Sequence, residues 1–276
     1  MAHKDTKPFF FYLAFNAPHD PRQAPQEYLD MYPVEKIKTP ENYLDAYPNR
    51  VVMKSPHKLR DEKLAPMPRT EYAVKVARRE YFALITHMDA QIGRVLEALE
   101  KNGQRENTYI VFTADHGLGC GRHGLLGKQN MYDHSVRVPY VVGPEIDAGK
   151  KISSPIYIQD SVPIALQAAG AEVPDYIQNQ SYLPVLKEES DGRPHIYNAY
   201  LKNAQRAITK DGHKLILYPG GKIARLYHLE SDPFEKNDLL EKGEGKEIAQ
   251  KLFEALKTEA KLHGDQLVFG EYPAIK

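Results

Sequence analysis

The chain has 276 residues, a length that suits one large α/β domain or one domain with a smaller appendage. Its 37 basic residues balance its 37 acidic residues, so the composition gives no support to a nucleic-acid partner or an anionic membrane surface. The single cysteine excludes an internal disulfide framework, and no apolar run reaches the length of a membrane span.

The first predicted element is a strand over residues 8–17, which contains the run PFFFYLAF. Apolar residues at successive positions are typical of a parallel strand that is buried on both faces. Compact domains rarely begin with a buried strand so close to Met1, so we expect an N-terminal part to be missing. Residues 16–68 follow, and their nine prolines and weak periodicity predict a long ordered loop with short helical pieces. Loops of this length often bind ligands.

The clearest helix is predicted over residues 71–101, where apolar residues recur at steps of three and four positions. Asn102-Gly103 supplies its C-terminal stop. Strands are predicted over residues 108–113 and 138–142, and a helix followed by a buried strand is typical of a parallel α/β unit. A further helix is predicted over residues 160–169, with Asp160 as its N-terminal cap.

From about His195 the pattern changes to the short alternating segments HIYNAY, QRAITK, HKLILY and ARLYHLE, which turn residues separate. This pattern predicts a small antiparallel sheet, and an amphipathic helix follows over residues 246–262. The predicted fold class is therefore α/β, a mostly parallel sheet flanked by helices, with a small C-terminal antiparallel sheet and helix. We predict a partial α/β domain over residues 1–190, with its N-terminal part missing, and a small subdomain of antiparallel sheet and helix over residues 191–276.

Polar residues follow two of the predicted core strands. His19 comes after the first strand, and Asp115-His116 comes after the strand at 108–113. Ligands of open α/β sheets gather beyond the carboxyl ends of the strands. Asp115 would be a hard oxygen ligand for a divalent cation, and His116 could ligate the same ion or bind substrate. For His19 alone, a purely structural role is an equal alternative.

Three more candidates lie in the loop after this pair. Lys128 has no helical salt-bridge partner in the sequence and could hold an anionic oxygen, although a solvated surface lysine is the default interpretation. Arg122 and His123 are weaker candidates on the same argument. A metal, a cation and imidazoles together indicate chemistry on a tetrahedral oxyanion such as phosphate or sulfate.

Four segments, in order, resemble the later part of a formylglycine-dependent sulfatase of the alkaline-phosphatase-like superfamily. They are FFFYLAFNAPHDPRQAPQEYLDMYP, THMDAQIGRVLEALEKNGQRENTYIVFTADHG, GRHGLLGKQNMYDHSVRVPYVV and LYHLESDPFEKNDL. The resemblance covers nearly the whole chain. It implies hydrolysis of a sulfate ester of a small molecule or carbohydrate, a sulfated sugar among them.

The resemblance also implies roles for individual residues. Asp115 and His116 match metal ligands, and Lys128 matches the lysine that holds a sulfate oxygen. His19 matches the histidine that contacts sulfate and helps protonate the leaving oxygen, and His123 lies where some relatives contact substrate. The metal in such enzymes is usually calcium. Because His116 departs from an all-oxygen shell, magnesium or another divalent ion stays open.

The family's nucleophile is a formylglycine made from a Cys/Ser-x-Pro/Ala-x-Arg motif. Cys120 is followed by Gly121, Arg122, His123 and Gly124, and the serine at Ser55-Pro56-His57-Lys58-Leu59 also lacks the arginine. The paired metal-binding aspartates of the family also precede the matched region. We therefore expect the nucleophile in a missing N-terminal part, and residues 1–276 alone to be inactive or nearly so.

Two alternatives remain open at this stage. One is a phosphoester or phosphonate hydrolase of the same superfamily, and the other is a non-catalytic relative that binds an anionic ligand. Members of the family are usually periplasmic or secreted, but the sequence of this chain does not indicate its compartment. The sequence does not indicate an oligomeric state.

Overall fold

The structure is a computed structural model that describes residues 7–54, 59–143, 149–267 and 269. Within these residues the α-helices are α1 (Gln26–Asp30), α2 (Glu71–Lys101), α3 (Asp133–Val136), α4 (Ser161–Ala168), α5 (Leu183–Leu186) and α6 (Lys246–Leu262). Short 3₁₀ helices lie at Val34–Lys36, Asp61–Leu64, Arg105–Asn107, Ile158–Asp160 and Pro219–Gly221. In the described part of the chain, no helix combines the length and apolar character that a membrane crossing requires.

The strands form two separate sheets. They are β1 (Ile110–Thr113), β2 (Tyr140–Gly143), β3 (His195–Tyr200), β4 (Gln205–Lys210), β5 (His213–Tyr218) and β6 (Ile223–His228). β1 pairs with β2, the other four strands pair in chain order, and both ladders are antiparallel. The predicted C-terminal antiparallel sheet is confirmed. The parallel pairing predicted for the strand after α2 is not observed in the described residues, where β1 pairs only with β2.

Helix α2 begins and ends where the sequence places it. The Thr70 side chain accepts a hydrogen bond from the Ala73 amide at 3.2 Å, which satisfies one of the free donors of the first turn. At the other end Gly103 has φ +67°, a left-handed conformation that glycine adopts without a steric cost. Local signals therefore fix both ends of the longest helix.

The predicted strand over residues 8–17 is wrong. This segment makes no ladder with any described residue, and most of its apolar side chains face solvent. Phe10 and Tyr12 are 75% and 83% exposed. A strand that is apolar on both faces needs a neighbouring strand for its amides and covering elements for both faces, and the described residues supply neither.

The C-terminal sheet is covered on both faces. Leu215 and Leu217 point towards α6 and pack with Leu252 and Leu256. The alternate residues of the same strand point the other way, into a cluster built largely on tyrosines. There the Tyr47 hydroxyl lies 2.8 Å from the hydroxyls of both Tyr132 and Tyr218.

Through these contacts the C-terminal sheet packs against the two loops that carry the predicted site residues. The tyrosine cluster joins residues from the proline-rich loop, from the loop after β1 and from the sheet, namely Tyr47, Met53, Leu125, Met131, Tyr132, Ala207, Ile216, Tyr218 and Tyr227. The sheet is thus a support for the loops in front of it. The division of the chain at residue 190 stays a prediction.

Asp160 does not cap α4 with its side chain, in contrast to the sequence prediction. Its carboxylate accepts a hydrogen bond from the Tyr157 amide at 2.9 Å and forms a two-pronged ion pair with Arg193. A preceding 3₁₀ turn, Ile158–Asp160, explains the difference, because the helical backbone already begins before Asp160. The aspartate therefore caps this turn and ties it to the strand region that follows.

Leu256→Ala should lower the free energy of unfolding by about 2–5 kcal/mol. The leucine side chain on α6 is fully buried, and its removal leaves a cavity in the core. Leu262→Ala on the same helix is the matched control, since this leucine is 73% exposed, and should change stability by less than about 0.5 kcal/mol. Urea unfolding followed by circular dichroism measures both. Equal losses for the two variants would contradict the packing of α6 described above.

Candidate active site

His19 and Lys128 are brought together from positions 109 residues apart. The Lys128 Nζ lies 2.8 Å from His19 Nε2, and the Arg60 Nη2 lies 2.9 Å from the same nitrogen. Lysine and arginine only donate, so the lone pair of Nε2 faces both cations and the ring proton is assigned to Nδ1. Nδ1 lies 2.9 Å from the Asp20 Oδ1, and this carboxylate holds the ring in place.

Two carboxylates balance the two cations. The Lys128 Nζ lies 3.6 Å from the Asp61 Oδ2, and Arg60 lies 3.6 Å from Asp20 and 3.5 Å from Asp61. Burial raises the pKa of Asp61, but the Gln129 hydrogen bond and the charges of Lys128 and Arg60 outweigh it and lower that pKa below its usual value. Asp61 is therefore an anion within this cluster.

His19, Asp20 and Asp61 are a possible metal-binding group, because one ligand atom from each lies within 4.8 Å of the others. It is the single such group of three or more among residues 7–54, 59–143, 149–267 and 269. The fit to a divalent metal is poor, however. The lone pair of His19 Nε2 already faces Lys128 and Arg60, and these two positive charges would repel a metal ion.

Asp115 and His116 fit a metal better as a pair of ligands. His116 Nδ1 lies 2.9 Å from the Gly117 carbonyl oxygen, so it donates there and leaves Nε2 with a free lone pair. That nitrogen lies 3.3 Å from the Asp115 Oδ2, which is the spacing of adjacent ligands around one cation. Among the described residues no third acidic, histidine or cysteine side chain joins them, so the pair is part of a coordination shell.

His123 lies in the interior of the protein. Its ring stacks on Tyr132 with 3.9 Å between ring centroids, and the residue is 5% exposed. Its amide donates to the Asn42 carbonyl oxygen at 2.7 Å, and its backbone has φ +53°. The role of His123 in contacting substrate stays a prediction, and the contacts observed for it are those of a core residue.

Cys120 is buried, and this burial raises the pKa of its thiol despite the nearby charges of Arg22, Arg78 and Arg122. A buried thiol with little thiolate is a poor nucleophile. This agrees with the absence of a formylglycine motif around it. Of the serine stretch considered with it, residues 55–58 lie outside the described residues.

Sequence reasoning missed Asp20, Arg60, Asp61 and Glu62. Asp20 was within reach, because it directly follows His19 and a carboxylate beside an imidazole is a common orienting partner. The other three lie in the proline-rich loop, where no periodicity or motif distinguishes one charged residue from another. Only the folded path of this loop shows that they adjoin Lys128.

Comparisons with known proteins identify the family to which this chain belongs. Residues 1–171 match the Sulfatase family, and residues 121–262 match the family described as N-sulphoglucosamine sulphohydrolase, C-terminal. The first match covers more than half of the chain, so the chain belongs to the sulfatase family. A sulfatase from Formosa agariphila is 32% identical over 238 residues, which are 83% of this chain and 45% of that protein. The chain thus spans about half the length of the curated relatives it matches.

Solved structures show the same fold. A protein whose structure was solved in complex with its substrate D-glucosamine-2-N,6-O-disulfate superposes with a TM-score of 0.71 at 23% identity, over 94% of this chain and 66% of that one. The phosphonate monoester hydrolase of Agrobacterium radiobacter gives 0.74 at 21% identity, over 94% and 58%. The alkaline-phosphatase-like α/β fold class predicted from the sequence is confirmed.

The free energy of unfolding should decrease as the pH is lowered from about 6.5 to about 4, because His123 is kept neutral in the folded protein. Burial, the largest cause, lowers the pKa of His123 to about 4, so in this window the unfolded chain binds a proton that the folded protein does not. The effect is absent above pH 6.5 and reaches on the order of 3 kcal/mol at its full extent.

His123→Phe keeps a ring stacked on Tyr132 and should make the loss of stability between pH 6.5 and pH 4 smaller. His263→Gln is the control, since this side chain is 44% exposed, and should leave the slope nearly unchanged. Urea unfolding at a series of pH values measures the slope. An unchanged slope in His123→Phe would show that the imidazole is not shielded from protons in the folded state.

Proposed function

We propose that the protein containing this chain is a sulfuric ester hydrolase, and that Lys128 and His19 act on the substrate. The observation that carries the proposal is the contact between Lys128 Nζ and His19 Nε2 at 2.8 Å, in a chain of the sulfatase family. This contact brings together an amine, which can bind an anionic oxygen, and an imidazole, which can transfer a proton. Both side chains are partly exposed, at 22% and 25%, so a ligand can reach them.

Lys128 and Arg60 supply the positive charge in this mechanism. The three non-bridging oxygens of a sulfate ester share a negative charge that must be held while the bond from sulfur to the leaving oxygen breaks. A fixed ammonium that is partly shielded from water stabilises this charge without reorganising. The guanidinium of Arg60 lies on the same side of His19 and extends the positive surface.

His19 supplies the proton for the leaving oxygen. When the imidazole is protonated on both nitrogens, Nε2 donates its proton to the departing oxygen as the S–O bond breaks, and the ring returns to the neutral form with its proton on Nδ1. Asp20 stabilises the charged ring through its contact with Nδ1 at 2.9 Å. The same contact fixes the direction in which Nε2 points.

Asp115 and His116 would hold a divalent metal, which offsets negative charge on the sulfuryl oxygens when it is bound. Calcium is the ion we propose, and the nitrogen ligand of His116 keeps magnesium as the second candidate. No cysteine or serine of these 276 residues fits the formylglycine motif of the family. We propose that the attacking group comes from a part of the protein outside these 276 residues.

A sulfated sugar is the proposed substrate class. The support is a neighbouring structure of the same fold whose bound substrate is D-glucosamine-2-N,6-O-disulfate. A phosphonate or phosphate ester is the second candidate, because phosphonate monoester hydrolases share the fold. Rates with 4-nitrophenyl sulfate and 4-nitrophenyl phosphate compared in one preparation separate the two, and a larger kcat/KM for the phosphate ester would favour the second.

Lys128→Ala should lower kcat/KM for 4-nitrophenyl sulfate by about 10²–10³-fold in the protein that contains this chain, because it removes a charged donor to the sulfuryl oxygens. Lys150→Ala is a matched control, since Lys150 is similarly exposed at 24% and pairs with Glu188 on a different part of the surface. Its rate should be unchanged. Residues 1–276 alone should show no turnover. If they do hydrolyse the ester and Lys128→Ala abolishes this activity, the proposal that the attacking group lies outside these residues is contradicted.

His19→Ala should slow the hydrolysis of an alkyl sulfate far more than that of 4-nitrophenyl sulfate, by about 10²-fold or more in the ratio of the two rates. An alkoxide leaves only if it is protonated, whereas 4-nitrophenolate leaves without a proton. His195→Ala replaces a histidine that is 18% exposed and pairs with Glu259, and it should change neither rate. Equal losses on both esters would exclude proton transfer from His19 to the leaving oxygen.

A further inference from the structure

The loop that carries Lys128 rests on a short acidic turn. The 3₁₀ helix Asp61–Leu64 begins with two acidic residues that are both about 3% exposed, which is rare for carboxylates unless they are paired. Each of them contacts the lysine loop rather than its own neighbours alone. Neither residue belongs to any motif that the sequence resemblance assigns.

Glu62 binds the backbone directly before the lysine. Its Oε1 accepts hydrogen bonds from the amides of Leu126 at 3.1 Å and Gly127 at 2.8 Å. Its Oε2 pairs at 2.6 Å with Arg69, whose side chain is fully buried. The carboxylate is thus compensated on both oxygens, and it fixes the direction of the chain as it enters Lys128.

Asp61 binds the side chains at and after the lysine. Its Oδ2 accepts a hydrogen bond from Gln129 Nε2 at 3.1 Å and lies 3.6 Å from Lys128 Nζ. The space between the turn and the loop is filled. A Cβ atom on Gly127 would lie 2.5 Å from Gln129 Oε1 and 3.0 Å from the Asp61 Cβ, so a larger residue would have to displace the Gln129 side chain and press on the turn.

We propose that Glu62 and Asp61 are positioning residues for Lys128, with opposite effects on its anion. Glu62 holds the backbone that presents the ammonium, so its loss weakens anion binding. Asp61 pairs with the ammonium itself and therefore competes with the bound anion for it, so its loss strengthens binding of the product. Asp61 thereby acts as an internal counter-ion of Lys128. It takes the place of inorganic sulfate beside the ammonium and so promotes release of this product. The inference rests on the proposed sulfate site.

Isothermal calorimetry of the protein that contains this chain, titrated with sodium sulfate, tests both roles. Glu62→Gln should weaken sulfate binding by about fivefold or more, and Asp61→Asn should strengthen it by a similar factor. Glu97→Gln is the control, because Glu97 is 67% exposed and pairs only with Lys101 among the described residues. Its affinity should equal that of the unchanged chain. Weaker binding in both Asp61→Asn and Glu62→Gln would overturn the counter-ion role.

The double variant Asp61→Asn/Lys128→Ala shows whether the two residues act on one anion. The gain from Asp61→Asn should disappear when Lys128 is absent, since the carboxylate then has no ammonium to compete for. A gain that persists in the double variant would mean that Asp61 acts on the anion through some other group, and would contradict the assignment.

Amide hydrogen exchange provides a readout that does not depend on sulfate. In Glu62→Gln the amides of Leu126 and Gly127 should exchange at least about tenfold faster, while the amide of Leu215 in the C-terminal sheet stays protected. Unchanged exchange at these two positions would overturn the role of Glu62. If the unchanged chain binds no sulfate, the proposed anion site fails, and the exchange rates still decide whether Glu62 holds the loop.

Discussion

Buried charge is the constraint on which this structure depends. A charged group that leaves water must find a partner of opposite charge, and in this chain the partners come from distant segments. Lys214 of β5 is fully buried and contacts both Asp133 and Glu235. Glu235 in turn accepts the Asp133 amide at 2.7 Å. The sheet and the loop that precedes β2 are therefore joined by ions rather than by a continuous apolar surface alone.

The same device supports the candidate site. Glu62 is buried and takes up two backbone amides of the lysine loop, while Arg69 compensates its charge. Removing either member of such a pair leaves an unpaired buried charge, which costs about 3–5 kcal/mol. The position of Lys128 is thus coupled to the stability of the loop around residues 59–69. A proline-rich segment without regular structure becomes a rigid part of the site because ion pairs and hydrogen bonds, not periodicity, hold it.

Regular elements could be predicted from the sequence because local signals determine them. Helix α2, the four strands of the C-terminal sheet and helix α6 lie where apolar periodicity and turn residues place them. The strand over residues 8–17 could not be judged in this way, since whether an apolar run becomes a strand depends on what lies beside it. The antiparallel pairing of β1 with β2 likewise depends on which strands are adjacent in space.

For the site, the sequence pointed to His19 and Lys128, and the structure places them in contact. Asp115 and His116 are neighbours in sequence, so their proximity needs no folded structure. What the structure reveals is the orientation of the imidazole, which turns Nε2 towards Asp115. The acidic residues that balance Lys128 were not predictable, because charges in an irregular loop acquire meaning only through their three-dimensional path. His123 was chosen for its position in a motif, and its burial against Tyr132 was not visible in the pattern.

The tyrosine cluster behind the site has a spectroscopic consequence. The chain contains 18 tyrosines and no tryptophan, so tyrosine dominates its near-ultraviolet absorption and emission. Four of these rings, Tyr47, Tyr132, Tyr218 and Tyr227, are buried and linked through their hydroxyls at the junction of the sheet with the loops in front of it. Burial raises the pKa of Tyr132, Tyr218 and Tyr227, so these phenols stay protonated at alkaline pH where exposed tyrosines ionise. The ultraviolet absorbance of tyrosinate therefore reports, without any label, when the loops of the site separate from the sheet.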